Sequence, residues 1–301
     1  MTAGLFHGIL PPITTPFDAT GAVDHAALER NLDRYESTGL AGYVLFGSNG
    51  EAVHLDPGEQ QDILDTVLGR GRTERPVVVG INELSTRAAI GAVQRATDAG
   101  AAAALVITPY FYKGSMGQDV LRRFFLDVAD ATELPILAYN VPKNTGVTLD
   151  PATVAALAEH PRIVGCKDSS GNLGALVETL RLVPDGFQVL VGNAGILYPA
   201  LAMGATGGIL AVACVAPDAC VDIHRAVREG RHTDARALQE RLAPLGRAVT
   251  VEHGIAGLKA SLDLAGWAGG DPRRPLPPLD DAGADALRRT MAQCGFFPEL
   301  S

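Results

Sequence analysis

The chain has 301 residues, 47% of them hydrophobic and 20% charged, enough for one large core or two modest ones. Its formal net charge of −9 argues against nucleic acid or an anionic membrane as a partner, because both select a basic field. A small anionic molecule remains compatible with that charge, since a few local donors overrule the global field.

Residues 1–8 carry no basic segment and no signal-length apolar stretch before Pro11-Pro12, and no apolar run nears the roughly 18 residues that span a bilayer. A cytoplasmic protein is expected. The four cysteines, Cys166, Cys214, Cys220 and Cys294, form no CxxC pair and have no histidine at zinc spacing, so they read as reduced core thiols.

From residue 8 to about 215, short apolar runs alternate with longer amphipathic segments, the pattern of βα units around a parallel sheet. Eight runs are predicted as strands, near 8–13, 42–46, 77–81, 103–107, 136–139, 163–167, 188–191 and 207–210. They do not alternate in polarity, which suits strands covered on both faces. Eight units closing on themselves give a (β/α)8 TIM barrel; the competing arrangement is a doubly wound open sheet.

The first intervening helix follows Asp24 and places Leu28, Leu32 and Tyr35 on one face. Asp56-Pro57-Gly58-Glu59 offers an N-cap, a first-turn proline and a glutamate set to bond back, and Asp150-Pro151 repeats its first two elements. Gly39, Gly100 and Gly230 fall where helices should stop. After about 225 the rhythm ends, 233–264 reads as helical with no intervening strand, 271–278 is too proline-rich for helix, and 282–294 forms a last one. The expected division is a catalytic barrel, 1–225, and a C-terminal helical domain, 226–301.

In such a barrel the reactive groups come from the C-terminal ends of strands. Lys167 ends the sixth run. An amine attacks a ketone only when neutral, and withdrawal from water disfavours the ammonium form, so this is where an imine-forming lysine belongs; a snorkelling or ion-paired lysine is the plainer alternative. Tyr139 ends the fifth run, one βα unit earlier, and enters the same mouth, as a proton carrier or as a core tyrosine with a satisfied hydroxyl.

Gly47-Ser48-Asn49-Gly50 is a turn able to present amides and a hydroxyl to a carboxylate, or simply a tight turn capping the next helix. Glu51 reads as a structural acid satisfying turn amides. Tyr110 and Tyr112 lie in a loop after the fourth run, where aromatic residues often plug a neighbour or a subunit interface. The seven histidines stand apart without HxH or HExxH spacing, and neither GxGxxG after a strand nor GxSxG occurs. No metal or organic cofactor is implied.

Thr15-Pro16-Phe17, Gly47-Ser48-Asn49-Gly50-Glu51, Thr108-Pro109-Tyr110, Tyr139-Asn140-Val141-Pro142, Ile163-Val164-Gly165-Cys166-Lys167-Asp168 and Gly207-Gly208-Ile209, in this order, resemble the dihydrodipicolinate synthase/N-acetylneuraminate lyase family. The resemblance implies a class I, pyruvate-dependent lyase on a (β/α)8 barrel with a C-terminal helical extension, commonly a homotetramer. It assigns Lys167 to the imine and Tyr139 to proton transfer at the reacting bond. Ser48 takes the relay position, Ser48 and Asn49 amides face the pyruvyl carboxylate, and the Ile209 carbonyl lies in the same pocket.

Two departures from the family pattern bear on the substrate. Asn144 stands where synthases of this family usually carry an arginine for the carboxylate of aspartate semialdehyde, and Lys143 beside it does not reproduce a bidentate fork. Phe111 aligns with the tyrosine that many members lend to the relay across a dimer, leaving Tyr112 or Tyr110 as substitutes. The loops look most like 4-hydroxy-2-oxoglutarate and 2-keto-3-deoxy sugar-acid aldolases, with Ser169 as a second-substrate contact. The leading expectation is therefore reversible cleavage of a 4-hydroxy-2-oxo acid to pyruvate and an aldehyde. Synthesis of 4-hydroxy-tetrahydrodipicolinate, dehydration of a keto-deoxy sugar acid and a non-catalytic pyruvate-binding barrel are the alternatives.

Overall fold

The computed structural model describes residues 6–69 and 73–300; residues 1–5, part of the segment read for a leader, lie outside the described residues. Eight parallel strands follow one another around the sheet: β1 (Gly8–Leu10), β2 (Tyr43–Leu45), β3 (Val77–Ile81), β4 (Ala103–Ile107), β5 (Ile136–Asn140), β6 (Ile163–Asp168), β7 (Gln188–Val191) and β8 (Gly207–Ile209). β1 pairs with β8. The gap between β1 and β2 is closed by Ala41 N–H to Ile9 O, Val44 N–H to Pro11 O and Ile13 N–H to Val44 O. The result is the (β/α)8 TIM barrel rather than the open sheet.

Among the described residues twelve α-helices accompany the strands: α1 (His25–Glu36), α2 (Pro57–Leu68), α3 (Thr86–Asp98), α4 (Gln118–Asp130), α5 (Pro142–Thr145), α6 (Pro151–Leu157), α7 (Leu173–Leu182), α8 (Leu197–Ala202), α9 (Pro217–Arg228), α10 (His232–Arg247), α11 (Gly254–Leu264) and α12 (Asp281–Cys294). Asp24 caps α1 through the Ala27 N–H, and Leu28, Leu32 and Tyr35 are buried as one face. At α2 the Asp56 carboxylate accepts from Glu59 N–H while the Glu59 carboxylate accepts from Asp56 N–H, a capping box worth about 1 kcal/mol.

The core has two layers set by strand alternation. Leu10, Val44, Val78, Leu105, Leu137, Leu190 and Ile209 fill the barrel interior, while residues such as Val79, Val106, Ala138, Cys166 and Val189 face the helices. β1 is shorter than its apolar run predicts because Pro11 and Pro12 lack the N–H that a strand ladder needs. β2 stops before Phe46, whose φ of 54° turns the chain into the next loop.

The stretch 233–264 is helical without a strand, as predicted, and divides into two helices. Pro244 removes one ladder donor within α10, a π-helical turn follows over Ala248–Glu252, and Gly254 takes φ +57° at the first position of α11. Gly100 and Gly230 have the left-handed φ expected of helix stops, +89° and +73°. Gly39 does not: a Cβ there would lie 2.8 Å from Val221 Cγ1, so its role is close packing against α9. Among the described residues no helix is long and apolar enough to cross a membrane.

Candidate active site

The register of β5 against β6 brings the central pair together. Tyr139 is paired with Lys167 and Asn140 with Asp168, after a one-residue irregularity near Ile136/Leu137 that puts two residues of β6 inward in succession. Gly165 sits at that irregularity, where a Cβ would strike the Gln188 carbonyl. Above it Lys167 points into the barrel mouth, only 4% exposed, with its Nζ 4.2 Å from the Tyr139 ring centroid.

Burial acts to raise the Tyr139 phenol, but the charge of Lys167 and interactions with the Ser48, Ser169 and Lys167 side chains outweigh it. The pKa falls below the ordinary tyrosine value of 10.0. A phenol so placed gives up and recovers a proton more readily than a free tyrosine.

The loop after β6 is held by its neighbours rather than by the reacting groups. Asn140 Nδ2 donates to Asp168 Oδ2 (2.6 Å), Asp168 Oδ1 accepts from Ser170 N–H (2.9 Å), and Ser169 N–H donates to Asn140 O (2.8 Å). These bonds aim Ser169 at the cavity. Gly192, at the end of β7, makes room for it: a Cβ there would collide with Ser169 Oγ and lie 3.1 Å from Lys167 Cε.

Ser48–Gly50 forms a 3-10 turn closed by Gly50 N–H to Gly47 O, which leaves the Ser48 and Asn49 N–H groups outside its own ladder. Ser48 does not cap a helix. Its Oγ accepts from Asn144 Nδ2 at 3.2 Å, joining the loops after β2 and β5 across the mouth.

Together these residues line a cavity of about 360 Å³, within the range of small-molecule sites. Its wall includes Ser48, Asn49, Tyr139, Asn144, Lys167, Ser169 and Ile209. Lys143 is there too, donating from Nζ to Thr250 O at 3.0 Å.

Tyr110 and Tyr112 do not line this cavity. They border a second hollow of about 690 Å³ between α2 and α3, together with Phe111. Phe111 and Tyr112 are 72% and 73% exposed and meet edge to face with centroids 5.1 Å apart.

Sequence reasoning missed two parts of the wall. Gly192 and Asn193 follow β7, so the rule that pointed to the other strand ends would have reached them. Val249, Thr250, Val251, Gly254 and Ile255 come from the π-helical turn and the start of α11, which carry no local sign of a site. Glu51 also differs from its expectation. It is 1% exposed, and its carboxylate meets no turn amide: it accepts from Lys259 Nζ (2.9 Å) and the Arg273 N–H (2.8 Å), with the His54 ring Nδ1 3.3 Å away.

Comparisons with known proteins bear on the family and the fold. The model of the dihydrodipicolinate synthetase family matches residues 5–294. The chain is similar to the 4-hydroxy-tetrahydrodipicolinate synthase of Methanothrix thermoacetophila, 38% identical over 290 residues that cover 96% of this chain and 97% of that one. It is also similar to the synthase of the same name from Acidiphilium cryptum, 36% identical over 97% of this chain and 100% of the other.

Among solved structures, dihydrodipicolinate synthase of Thermotoga maritima superposes with a TM-score of 0.92 at 29% identity, covering 97% of this chain and 99% of that chain. YagE, a prophage protein of the same family from E. coli crystallised in complex with pyruvate, gives 0.91 at 29% identity with the same coverage. A strand-end lysine and tyrosine in one barrel mouth, and a family match over nearly the whole chain, place this protein in the dihydrodipicolinate synthase family of class I, pyruvate-dependent lyases.

Proposed function

We propose that the protein joins pyruvate to aspartate semialdehyde through an imine on Lys167, giving 4-hydroxy-tetrahydrodipicolinate. The observation that carries the chemistry is the buried Lys167 amine beside Tyr139 in the mouth of the barrel. The choice of aldehyde draws on relatives of that name at 34–38% identity. They move this reading ahead of the 4-hydroxy-2-oxo acid cleavage that led on sequence alone.

In this reading the neutral Lys167 amine adds to C2 of pyruvate, and the carbinolamine loses water to give a protonated imine. The Ser48 and Asn49 N–H groups receive the carboxylate. Tyr139, having given its proton to the departing hydroxyl, takes a proton from C3 to leave an enamine, whose C3 attacks the aldehyde carbon, and the new alkoxide takes that proton from Tyr139. The partner's own amine then adds to C2, closing the ring as the C2–Nζ bond breaks and Lys167 is released. Ser48 relays the Tyr139 proton, Ile209 contributes to the pyruvate pocket, and Ser169 and Asn144 contact the second substrate.

Asn144 favours a second reading. Among the described residues no arginine lines the cavity, and Lys143, the cation nearest Asn144 in sequence, is engaged with Thr250 O, so cleavage of a 4-hydroxy-2-oxo acid, whose aldehyde half lacks the amino-acid head group of aspartate semialdehyde, also suits the wall. We further propose that residues 1–225 form the catalytic barrel and 226–301 the helical domain of a cytoplasmic homotetramer, with Tyr110, Phe111 and Tyr112 facing a neighbour.

The test is to incubate the protein with pyruvate and borohydride, measure intact mass, and then offer each aldehyde. A reduced adduct on Lys167 with consumption of aspartate semialdehyde supports the synthase. An adduct with turnover only of glyoxylate or a sugar-derived aldehyde moves the second reading to the front. Pyruvate binding with no trapped adduct leaves a non-catalytic barrel.

A further inference from the structure

The Ser48–Asn49 turn is built on an unusual foundation. It ends at Glu51, a non-glycine residue with φ 54°, a backbone state that costs about 1 kcal/mol or more unless its surroundings impose it. The surroundings come from the far end of the sequence. Lys259, in the middle of α11 and fully buried, donates from Nζ both to Glu51 Oε1 and to Thr15 O, each at 2.9 Å. Thr15 in turn donates from Oγ1 to Gly50 O at 2.7 Å. One ammonium therefore fixes the residue after the turn and, through Thr15, the last carbonyl within it.

The same helix reaches the cavity directly. Gly254 and Ile255, in the first turn of α11, stand in its wall. The Phe17 ring covers the Lys259 ammonium at 4.4 Å, and the Arg273 guanidinium lies 4.3 Å from the same ring centroid. The Arg273 N–H bonds the other Glu51 oxygen. Neither Lys259 nor Glu51 lines the cavity, and both side chains have 0% exposure, so neither touches substrate.

We infer that Lys259 is a positioning residue for pyruvate binding, holding the Ser48 and Asn49 amides at the carboxylate through Glu51 and Thr15. This makes α11 part of the catalytic machinery and rests on the imine reading above. A charged pair serves better here than an apolar contact because the ammonium directs two of its hydrogens at fixed acceptors, Glu51 Oε1 and Thr15 O, and the angular placement of the turn follows from them.

The experiment compares the full-length wild type with Lys259→Met and with the double variant Glu51→Gln/Lys259→Met, which leaves no uncompensated charge. Melting temperature is followed beside the pyruvate dependence of borohydride trapping. A displacement of the amides by about 1 Å costs on the order of 10²-fold in reactivity. The pyruvate concentration for half-maximal trapping is therefore expected to rise at least about tenfold in both variants, with a smaller change in the rate at saturating pyruvate, and to stay raised in the double variant although its melting temperature recovers.

If the double variant regains stability and traps pyruvate at wild-type concentrations, the pair is purely structural and the inference fails. Wild-type protein that traps no pyruvate overturns the imine reading itself, and this inference with it; wild-type trapping with unaltered variants overturns the inference alone.

Discussion

Lys167 Nζ stands 4.2 Å from the centre of the Tyr139 ring, and the two residues face each other across directly paired positions of β5 and β6. The pairing leaves no side chain between amine and phenol. In the proposed reaction an imine at Lys167 would form beside Tyr139, and its positive charge would act on a phenol whose pKa already lies below the ordinary value.

If Lys167 is the electron sink, Lys167→Ala should abolish turnover while the barrel stays folded, because Lys167 stands near the end of β6 and the barrel interior is packed by apolar side chains. Steady-state assay beside thermal melting checks this. Measurable turnover in a folded variant would contradict the imine mechanism.

The tyrosines should ionise in a defined order. Tyr139 is lowered, whereas burial pushes Tyr35 and Tyr43 up, the latter helped by its hydrogen bond to Glu36. On raising the pH, absorbance near 295 nm should show a first phenolate below the usual value of about 10, and Tyr139→Phe should delete that phase and lower kcat about 10²- to 10⁴-fold. Survival of the early phase in the variant assigns it to another tyrosine.

Gly192 tests how tightly the mouth is packed. In Gly192→Ala the new methyl meets Ser169 Oγ and approaches Lys167 Cε, so both must move. Activity should fall on the order of 10²-fold with the fold retained; unaltered kcat/KM would mean that the Ser169 loop yields without disturbing Lys167.

Acid stability should depend on Glu59. Its carboxylate caps α2 and takes two hydrogen bonds from Arg273, and these, against the opposing effect of burial, hold its pKa below the usual carboxylate value. A folded pKa below the unfolded one contributes stability that is complete above about pH 4.3 and lost as the pH falls through the folded value. Glu59→Gln should therefore lower the melting temperature at pH 7 and narrow its gap from wild type as the solution is acidified. A gap that is constant between pH 7 and 3 would remove the linkage.

All four thiols should resist alkylation in the native protein. Cys166, Cys214, Cys220 and Cys294 are buried, and desolvation raises each thiol above its usual range. The thiolate is the reactive species. Iodoacetamide at pH 8 should label them only after denaturation, and rapid native labelling would show a thiol open to solvent.

The amino-acid sequence by itself determined what is local or periodic: eight buried strands, the caps at Asp24 and Asp56, and strand-end candidates such as Tyr139 and Lys167. Strand burial is written in runs of apolar residues, and caps are fixed by side chains three residues from their targets. The position of Tyr139 and Lys167 near the C-terminal ends of adjacent strands follows from the topology of a closed parallel barrel, so it too was legible.

Tertiary structure alone decided what joins distant segments. Lys259 reads in sequence as a lysine among the apolar residues of a helix, and only the docking of α11 against the loops after β1 and β2 sets its ammonium on Glu51 and Thr15, 208 and 244 positions away. The wall from Val249 to Ile255 and the separation of Tyr110 and Tyr112 from the cavity have the same origin. Hydrophobic period and capping motifs encode interactions within a few residues, whereas an ion pair buried between two elements is specified by the approach of their surfaces, which no single segment contains.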